Sequence, residues 1–257
     1  MTLNILIILT AGWGAGIVTG LVSASAVVIV APILITILGY PPYTAIGISL
    51  ATDIIASSVS AYTYHKNGNL KLKEGMYLAI SSVTAAIIGS WLSSYLSADL
   101  LGGSTGFVIL FMGISFLRKS LDQRLKEFQN KFDLSFWKNK KIFSAIFFGG
   151  IIGMMTGFFG AGGGMMILMI LTFIYGFSVH TAVGTSVLIM AFNATLGAAS
   201  HFIVEQNIPL MEVGISSLGG LIGAVMAAVY ANDISEQKLS KSVGIIFVIL
   251  GIISVMK

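Results

Sequence analysis

The sequence predicts an all-α polytopic membrane protein built from two inverted-topology repeats, each an interrupted helical hairpin followed by three transmembrane helices. Composition is the first reason, because 56% of the 257 residues are hydrophobic and 9% are charged, against ~25% charged in an ordinary soluble domain. The mean hydropathy is +0.96. The 30 glycines and the scarcity of strand-type alternation favour helices packed closely through small residues over a β-barrel.

The length of the apolar runs is the second reason. Most of them approach the ~20 residues that one helical span requires. They cover residues 3–22, 27–38, 44–64, 75–96, 100–117, 142–159, 165–177, 181–204, 211–230 and 239–256. No basic side chain precedes the first run. It therefore does not resemble the charged start of a cleaved signal peptide, and we expect it to remain in the protein.

An internal duplication is the third reason. A constant shift of 137 positions, which carries Gly12 onto Gly149, pairs a dozen identical residues between 12–61 and 149–198. The first-half members of these pairs are Gly12, Gly16, Thr19, Gly20, Ala24, Leu34, Gly39, Thr44, Ala45, Gly47, Ser49 and Ala61. The duplication predicts a first transmembrane repeat at 1–117, a basic cytoplasmic linker at 118–141 and a second transmembrane repeat at 142–257.

Each repeat opens with an interrupted apolar stretch, at 5–39 and at 142–176, that is too long for one straight span. We interpret each stretch as a helical hairpin, which brings the chain back to the side where it started. Three further single spans then leave the chain on the opposite side of the membrane. The second repeat must therefore be inverted relative to the first.

Loop charge supports this inversion. The loop at 65–73 and the linker are rich in lysine and arginine, whereas 205–212, the counterpart of that loop, contains no basic residue. Because basic loops are retained in the cytoplasm, the charge bias changes sides between the repeats. We expect both termini outside. The linker also carries acidic and apolar residues, which fits an amphipathic helix on the inner membrane surface that connects the repeats.

The two hairpin interruptions carry the candidate binding site. The glycine-rich break at 160–164 corresponds to the small and polar residues at 23–26. A half-helix that begins near Met165 would direct free amides and a positive dipole end into the membrane interior, where they bind an anion without a basic side chain. Close helix packing through small residues is the alternative. The predicted substrate contacts at the breaks are Ser23, Ser25, Gly160, Gly162 and Gly163.

A second polar cluster follows each break. Thr185 and Ser186 begin one span, Ser49 begins its counterpart, and Asn193 lies two turns deeper than Ser186. We predict that these four side chains also contact the substrate. The alternatives are that the hydroxyls bond back to their own helix and that Asn193 forms an interhelical hydrogen bond.

Asp53 is the acidic residue that lies well inside a predicted span. A carboxylate in hydrocarbon is energetically costly, so this side chain should face the protein interior or water, and it is a candidate proton carrier. The alternative is a neutral carboxyl group that bonds a neighbouring helix. Its counterpart in the second repeat is Met190, so a proton-coupling role would be asymmetric.

Several other functions are disfavoured. The chain has no cysteine, which excludes disulfides, thiolate chemistry and cysteine metal sites. It lacks a phosphate-binding loop, a His-Glu-x-x-His motif and clustered histidines, which argues against ATP hydrolysis and against an intramembrane enzyme. The pI near 9.2 reflects loop lysines rather than a nucleic-acid surface. No cofactor or metal is predicted, and a homo-oligomer remains open.

The chain resembles the TauE/SafE family of sulfite and organosulfonate exporters. The resemblance rests on a Gly-x-x-x-Gly-x-x-Gly-x-Gly-Gly-Gly pattern at 153–164, on Ala-x-Gly-Thr-Ser at 182–186 and on His-Lys-Asn-Gly at 65–68, and it covers essentially the whole chain. The first repeat departs from the pattern at 23–26, where serines and alanines replace glycines, and at Ile48, which replaces threonine.

This resemblance implies a multi-pass transporter of the cell (inner) membrane. It would be a secondary active transporter that exports small sulfur-containing or carboxylate anions by alternating access, driven by an ion gradient. The isolated Asp53 predicts that protons are the coupling ion. A passive anion channel would use the same helix breaks and is the alternative. The implied partners are a small anionic substrate, protons and the lipid bilayer.

Overall fold

A computed structural model describes residues 2–93, 137, 140–159, 163–204, 209–235, 237–239, 241–242, 245, 248–249 and 252. The regular secondary structure of these residues is entirely helical, which confirms the predicted all-α class. The predicted spans at 100–117 and 239–256, and the predicted linker helix at 118–141, lie wholly or largely outside the described residues.

The first half begins with α1 (Thr2–Val22), which is followed by a three-residue break at 23–25. The chain continues through a 3₁₀ turn (Ala26–Val28) into the short α2 (Val30–Thr36), then α3 (Pro42–Lys66) and α4 (Leu72–Ser93). Pro42 occupies the first turn of α3, where its missing amide hydrogen leaves no helical hydrogen bond unmade.

The second half contains α5 (Lys141–Phe159), α6 (Gly163–Phe173), α7 (Val179–Val204) and α8 (Leu210–Asp233). Four helices among the described residues are long and apolar enough to cross a membrane: Thr2–Val22, Pro42–Lys66, Val179–Ala199 and Leu210–Asp233. Exposed apolar side chains such as Ile146 on α5 and Leu218 on α8 mark the faces expected to meet lipid.

Helices α1 and α8 pack side by side and run in the same direction. Gly12 lies against Ser216, and two turns further Gly20 lies against Ala224. A Cβ atom on Gly12 would overlap the carbonyl oxygen of Ser216. The close approach of these backbones therefore requires glycine, which agrees with the small-residue packing predicted from the composition.

The other long helices differ in the direction in which they run. Helix α3 runs antiparallel to α7, because Tyr64 lies against Gly184 while Leu50 lies against Gly197. Helices α4 and α5 also pack closely and run in the same direction. Consequently α1, α3 and α8 point one way, whereas α4, α5 and α7 point the other way.

The two short helices lie in the core of the protein. Leu34 of α2 and Leu171 of α6 are fully buried, and each sits in one of two separate clusters of buried apolar side chains. The clusters hold both short helices inside the bundle. The first chain break, at 23–25, is buried with them.

Candidate functional site

The first break begins where α1 ends. Ser23 adopts a φ of 56°, in the left-handed region that costs an L residue roughly 1–2 kcal/mol. Its backbone amide donates to Thr19 O at 2.9 Å, and Thr19 Oγ1 donates to Ala24 O at 2.8 Å. These bonds close the end of α1 and turn the chain back into the core.

A carboxyl group occupies the start of the returning segment. The backbone amide of Ala26 donates to Asp53 Oδ1 at 2.6 Å, and the Ser25 hydroxyl donates to Asp53 Oδ2. Ser25 Oγ also accepts the Val27 amide at 3.2 Å. Asp53 is 1% exposed and bonds the segment that follows α1. Its proton-coupling role stays a prediction.

The second break meets the first. Gly163 and Gly164 open α6 and are both buried. A Cβ atom on Gly164 would overlap the carbonyl oxygen of Ser23 and would lie 2.6 Å from Ser23 Oγ and 2.6 Å from Met190 Sδ. A Cβ atom on Gly163 would overlap Thr156 Oγ1. The predicted contacts Gly160 and Gly162 lie outside the described residues.

The environment of α6 differs from that of the first returning segment. Met190, an uncharged side chain, stands beside Gly164 at the position that Asp53 has in the other half. The first amides of a helix have no partner within the helix, and the positive dipole end attracts an anion. Ser23 Oγ adds a hydroxyl that is fully buried and without a hydrogen-bond partner. Anion binding at the start of α6 stays a prediction.

The other predicted substrate contacts have different neighbours. Ser49 Oγ donates to Ala45 O at 2.6 Å and Ser186 Oγ donates to Val183 O at 2.9 Å, each within its own helix. Thr185 Oγ1 accepts the Lys71 amide at 3.1 Å, which ties α7 to the connection between α3 and α4. None of these three hydroxyls bonds a break residue that the structure describes, and their substrate contacts stay predictions.

Asn193 faces the neighbouring helix α4. Its side chain and the Ser82 hydroxyl are separated by 3.4–3.5 Å, at the long limit of a hydrogen bond. This is the interhelical arrangement that the sequence offered as the alternative. Its contact with substrate also stays a prediction.

Two polar side chains were missed by the sequence reasoning. Ser57 and Ser60 of α3 are fully buried, and neither hydroxyl has a hydrogen-bond partner. An unmade bond of a buried hydroxyl costs about 1–3 kcal/mol. Their spacing from Asp53, four and seven residues, was visible in the sequence and places all three on one helix face.

A multi-pass helical bundle with two broken helices that meet in its core has the architecture of a membrane transport protein. The sequence model of the family described as "Sulfite exporter TauE/SafE" matches residues 8–253. The chain belongs to the TauE/SafE family of membrane transporters, as the motifs at the second break and at the start of α7 predicted.

Curated relatives cover nearly the whole chain. "Probable membrane transporter protein YdhB" of Bacillus subtilis (strain 168) is 25% identical over 238 residues, which is 93% of this chain and 95% of that protein. A "Probable membrane transporter protein" of Xylella fastidiosa (strain Temecula1 / ATCC 700964) is 25% identical over 264 residues, covering 98% of this chain and 95% of the relative. No solved structure gave a significant match.

Proposed function

We propose that the protein is a secondary active transporter that exports small sulfur-containing or carboxylate anions by alternating access, coupled to protons. The observation that carries this proposal is the start of α6, where the buried Gly163 and Gly164, an unpartnered Ser23 hydroxyl and the uncharged Met190 converge. The family description as a sulfite exporter supports a sulfite-type oxyanion as substrate.

The anion site proposed here is asymmetric. The amides at the start of α6, together with Gly160 and Gly162, donate to the oxyanion, and Ser23 supplies a hydroxyl. Ser25 is held by Asp53 in this conformation. A neutral carboxyl group accepts hydrogen bonds more weakly than a carboxylate. Protonation of Asp53 therefore releases the Ser25 hydroxyl toward the substrate and removes a negative charge from the site.

Proton binding at Asp53 and anion binding are therefore coupled. A proton on Asp53 strengthens anion binding, and by linkage a bound anion strengthens proton binding by the same factor. Among the described residues, Asp53 is the only acidic or basic side chain that is buried. Asp53 is therefore the group that we assign to the coupling.

Alternating access follows from the proposed inverted repeats. The helix order supports this inversion, because α3 and its counterpart α7 run in opposite directions. The close pair α1 and α8 in turn corresponds to the close pair α5 and α4. The two helices run parallel within each pair. We retain 1–117, 118–141 and 142–257 as the repeat and linker boundaries.

Flux into proteoliposomes tests the proposal. Sulfite, an organosulfonate and a short carboxylate would each be offered with and without a pH gradient. The proposal expects saturable flux of at least one anion that responds to the gradient. Flux that rises linearly with concentration and ignores the gradient would instead identify a passive anion channel.

A further inference from the structure

A row of polar side chains follows one face of α3 toward its Lys66 end. Asp53, Ser57, Ser60 and Tyr64 are separated by four, three and four residues, so their side chains lie above one another on the helix surface. All four are buried. The hydroxyls of Ser57 and Ser60 lack a hydrogen-bond partner.

Two contacts fix the direction in which this row faces. Asp53 bonds Ser25 and Ala26 beyond the end of α1, and Tyr64 Oη donates to Gly20 O at 3.0 Å near the end of α1. The row therefore faces the last turn of α1 and the first break. Ser23, another of the buried hydroxyls without a partner in the described residues, lies in the chain between these two contacts.

The second half of the molecule provides an internal comparison. The counterparts of Asp53, Ser57 and Ser60 on α7 are Met190, Ala194 and Gly197. The acid and the hydroxyls are thus present together in α3 and absent together in α7. The architecture common to both halves therefore does not require this row, and its two serines occur together with the acid.

Buried polar groups in folded proteins are nearly always hydrogen-bonded. The hydroxyls of Ser23, Ser57 and Ser60 have no protein partner among the described residues, so water that enters this region would satisfy them. Water is a suitable partner because a hydroxyl both donates and accepts, and a transporter that alternates its access must admit water to its centre from each side in turn.

We propose that Ser57 and Ser60 line an aqueous path that opens between Asp53 and the Lys66 end of α3, with Tyr64 as its plug in the present conformation. The inference rests on the proposed role of Asp53. Protons would reach or leave the carboxyl group along this row, and breaking the bond from Tyr64 to Gly20 would open it.

Single-cysteine labelling tests this path, because the chain contains no native cysteine. Ser57→Cys and Ser60→Cys are close in size to the native residues, and Ala194→Cys, at the counterpart of Ser57, is the matched buried control. A membrane-impermeant methanethiosulfonate would be added to membrane vesicles of each orientation. The proposal expects both serine sites to react at least about tenfold faster than Ala194→Cys from the Lys66 side, because a thiolate forms in wet surroundings.

Tyr64→Ala should raise the labelling rate at Ser60→Cys further. If both serine sites reacted as slowly as Ala194→Cys in folded protein, with Tyr64 native and replaced, the path would be dismissed and the hydroxyls assigned to bonds with their own helix. Labelling does not require transport. Reactive serine sites in a protein whose flux ignores Asp53→Asn would keep the path and remove the proton role instead.

Discussion

The two helix breaks occupy corresponding places in the two halves, yet they hold different chemistry. At the first break, Asp53 accepts the Ala26 amide and the Ser25 hydroxyl, so an internal carboxyl group fills the start of the returning segment. At the second break, Met190 takes the place of the acid and Gly164 packs directly against Ser23. The proposal therefore assigns proton coupling to the first break and anion binding to the second.

Gly164→Val has the largest expected effect on this comparison. A Cβ atom at this position overlaps the Ser23 carbonyl oxygen, so the two breaks must separate. We expect anion binding and flux to fall about a hundredfold, as displacements of ~1 Å at a functional site do. Isotope flux in proteoliposomes measures the loss. Gly150→Ala is the control, because nothing lies within 4 Å of its added Cβ.

Wild-type flux in folded Gly164→Val would mean that the contact between the breaks serves packing alone. Correct folding is checked by size-exclusion chromatography in detergent. Gly163→Val, which overlaps Thr156 Oγ1, provides a second variant of the same break.

Ser23→Ala sharpens the assignment of the hydroxyl. Loss of one hydrogen bond to a charged group costs ~1.5–3 kcal/mol, so the Kd for the anion should rise at least about tenfold. Ser23→Gly removes the same hydroxyl but relieves the left-handed backbone at this position. Calorimetric titration should therefore find equally weakened anion binding in both variants. Thermal unfolding should find the higher stability in Ser23→Gly. An unchanged Kd in both would exclude Ser23 from the site.

Asp53→Asn has the smallest expected effect at a single pH. In the native protein the carboxylate repels the anion and its protonation removes that repulsion, so binding should tighten as pH falls. The change should be about fivefold, the lower end of common coupling free energies. Asn cannot titrate, so the affinity of the variant should be flat with pH. Glu212→Gln, at an acid that accepts the Tyr40 hydroxyl at 2.7 Å, should keep the native slope.

A native pH slope in Asp53→Asn would make this residue a structural cap of the first break. That result would leave the anion site at the second break untouched. The two halves of the proposal, binding and coupling, therefore fail separately.

Much of the fold could be predicted from the sequence because it depends on local patterns. The apolar runs fixed the helical class, and the glycine-rich stretch before Met165 marked the start of α6 within two residues. The family was also predictable, since its motifs are contiguous. The inverted repeats and their boundaries stay predictions, supported by the directions of α3 and α7.

The chemistry of the first break could not be predicted, because it depends on contacts between distant residues. Nothing local connects Asp53 to Ala26, which lies 27 residues earlier. The burial of Ser57 and Ser60 likewise depends on how other helices pack on α3. The hydroxyls of Ser49 and Ser186 bond carbonyl oxygens of their own helices. Their position in the sequence alone does not determine whether they bond their own helix or contact the substrate.

The number of anions bound per chain tests the central claim most directly. Isothermal titration calorimetry of the purified protein, with the anion that the flux assay identifies as substrate, measures this number. An asymmetric pair of breaks predicts one anion per chain in the native protein and no site of native affinity in folded Gly164→Val. Two anions per chain, or one site that survives Gly164→Val, would contradict the account.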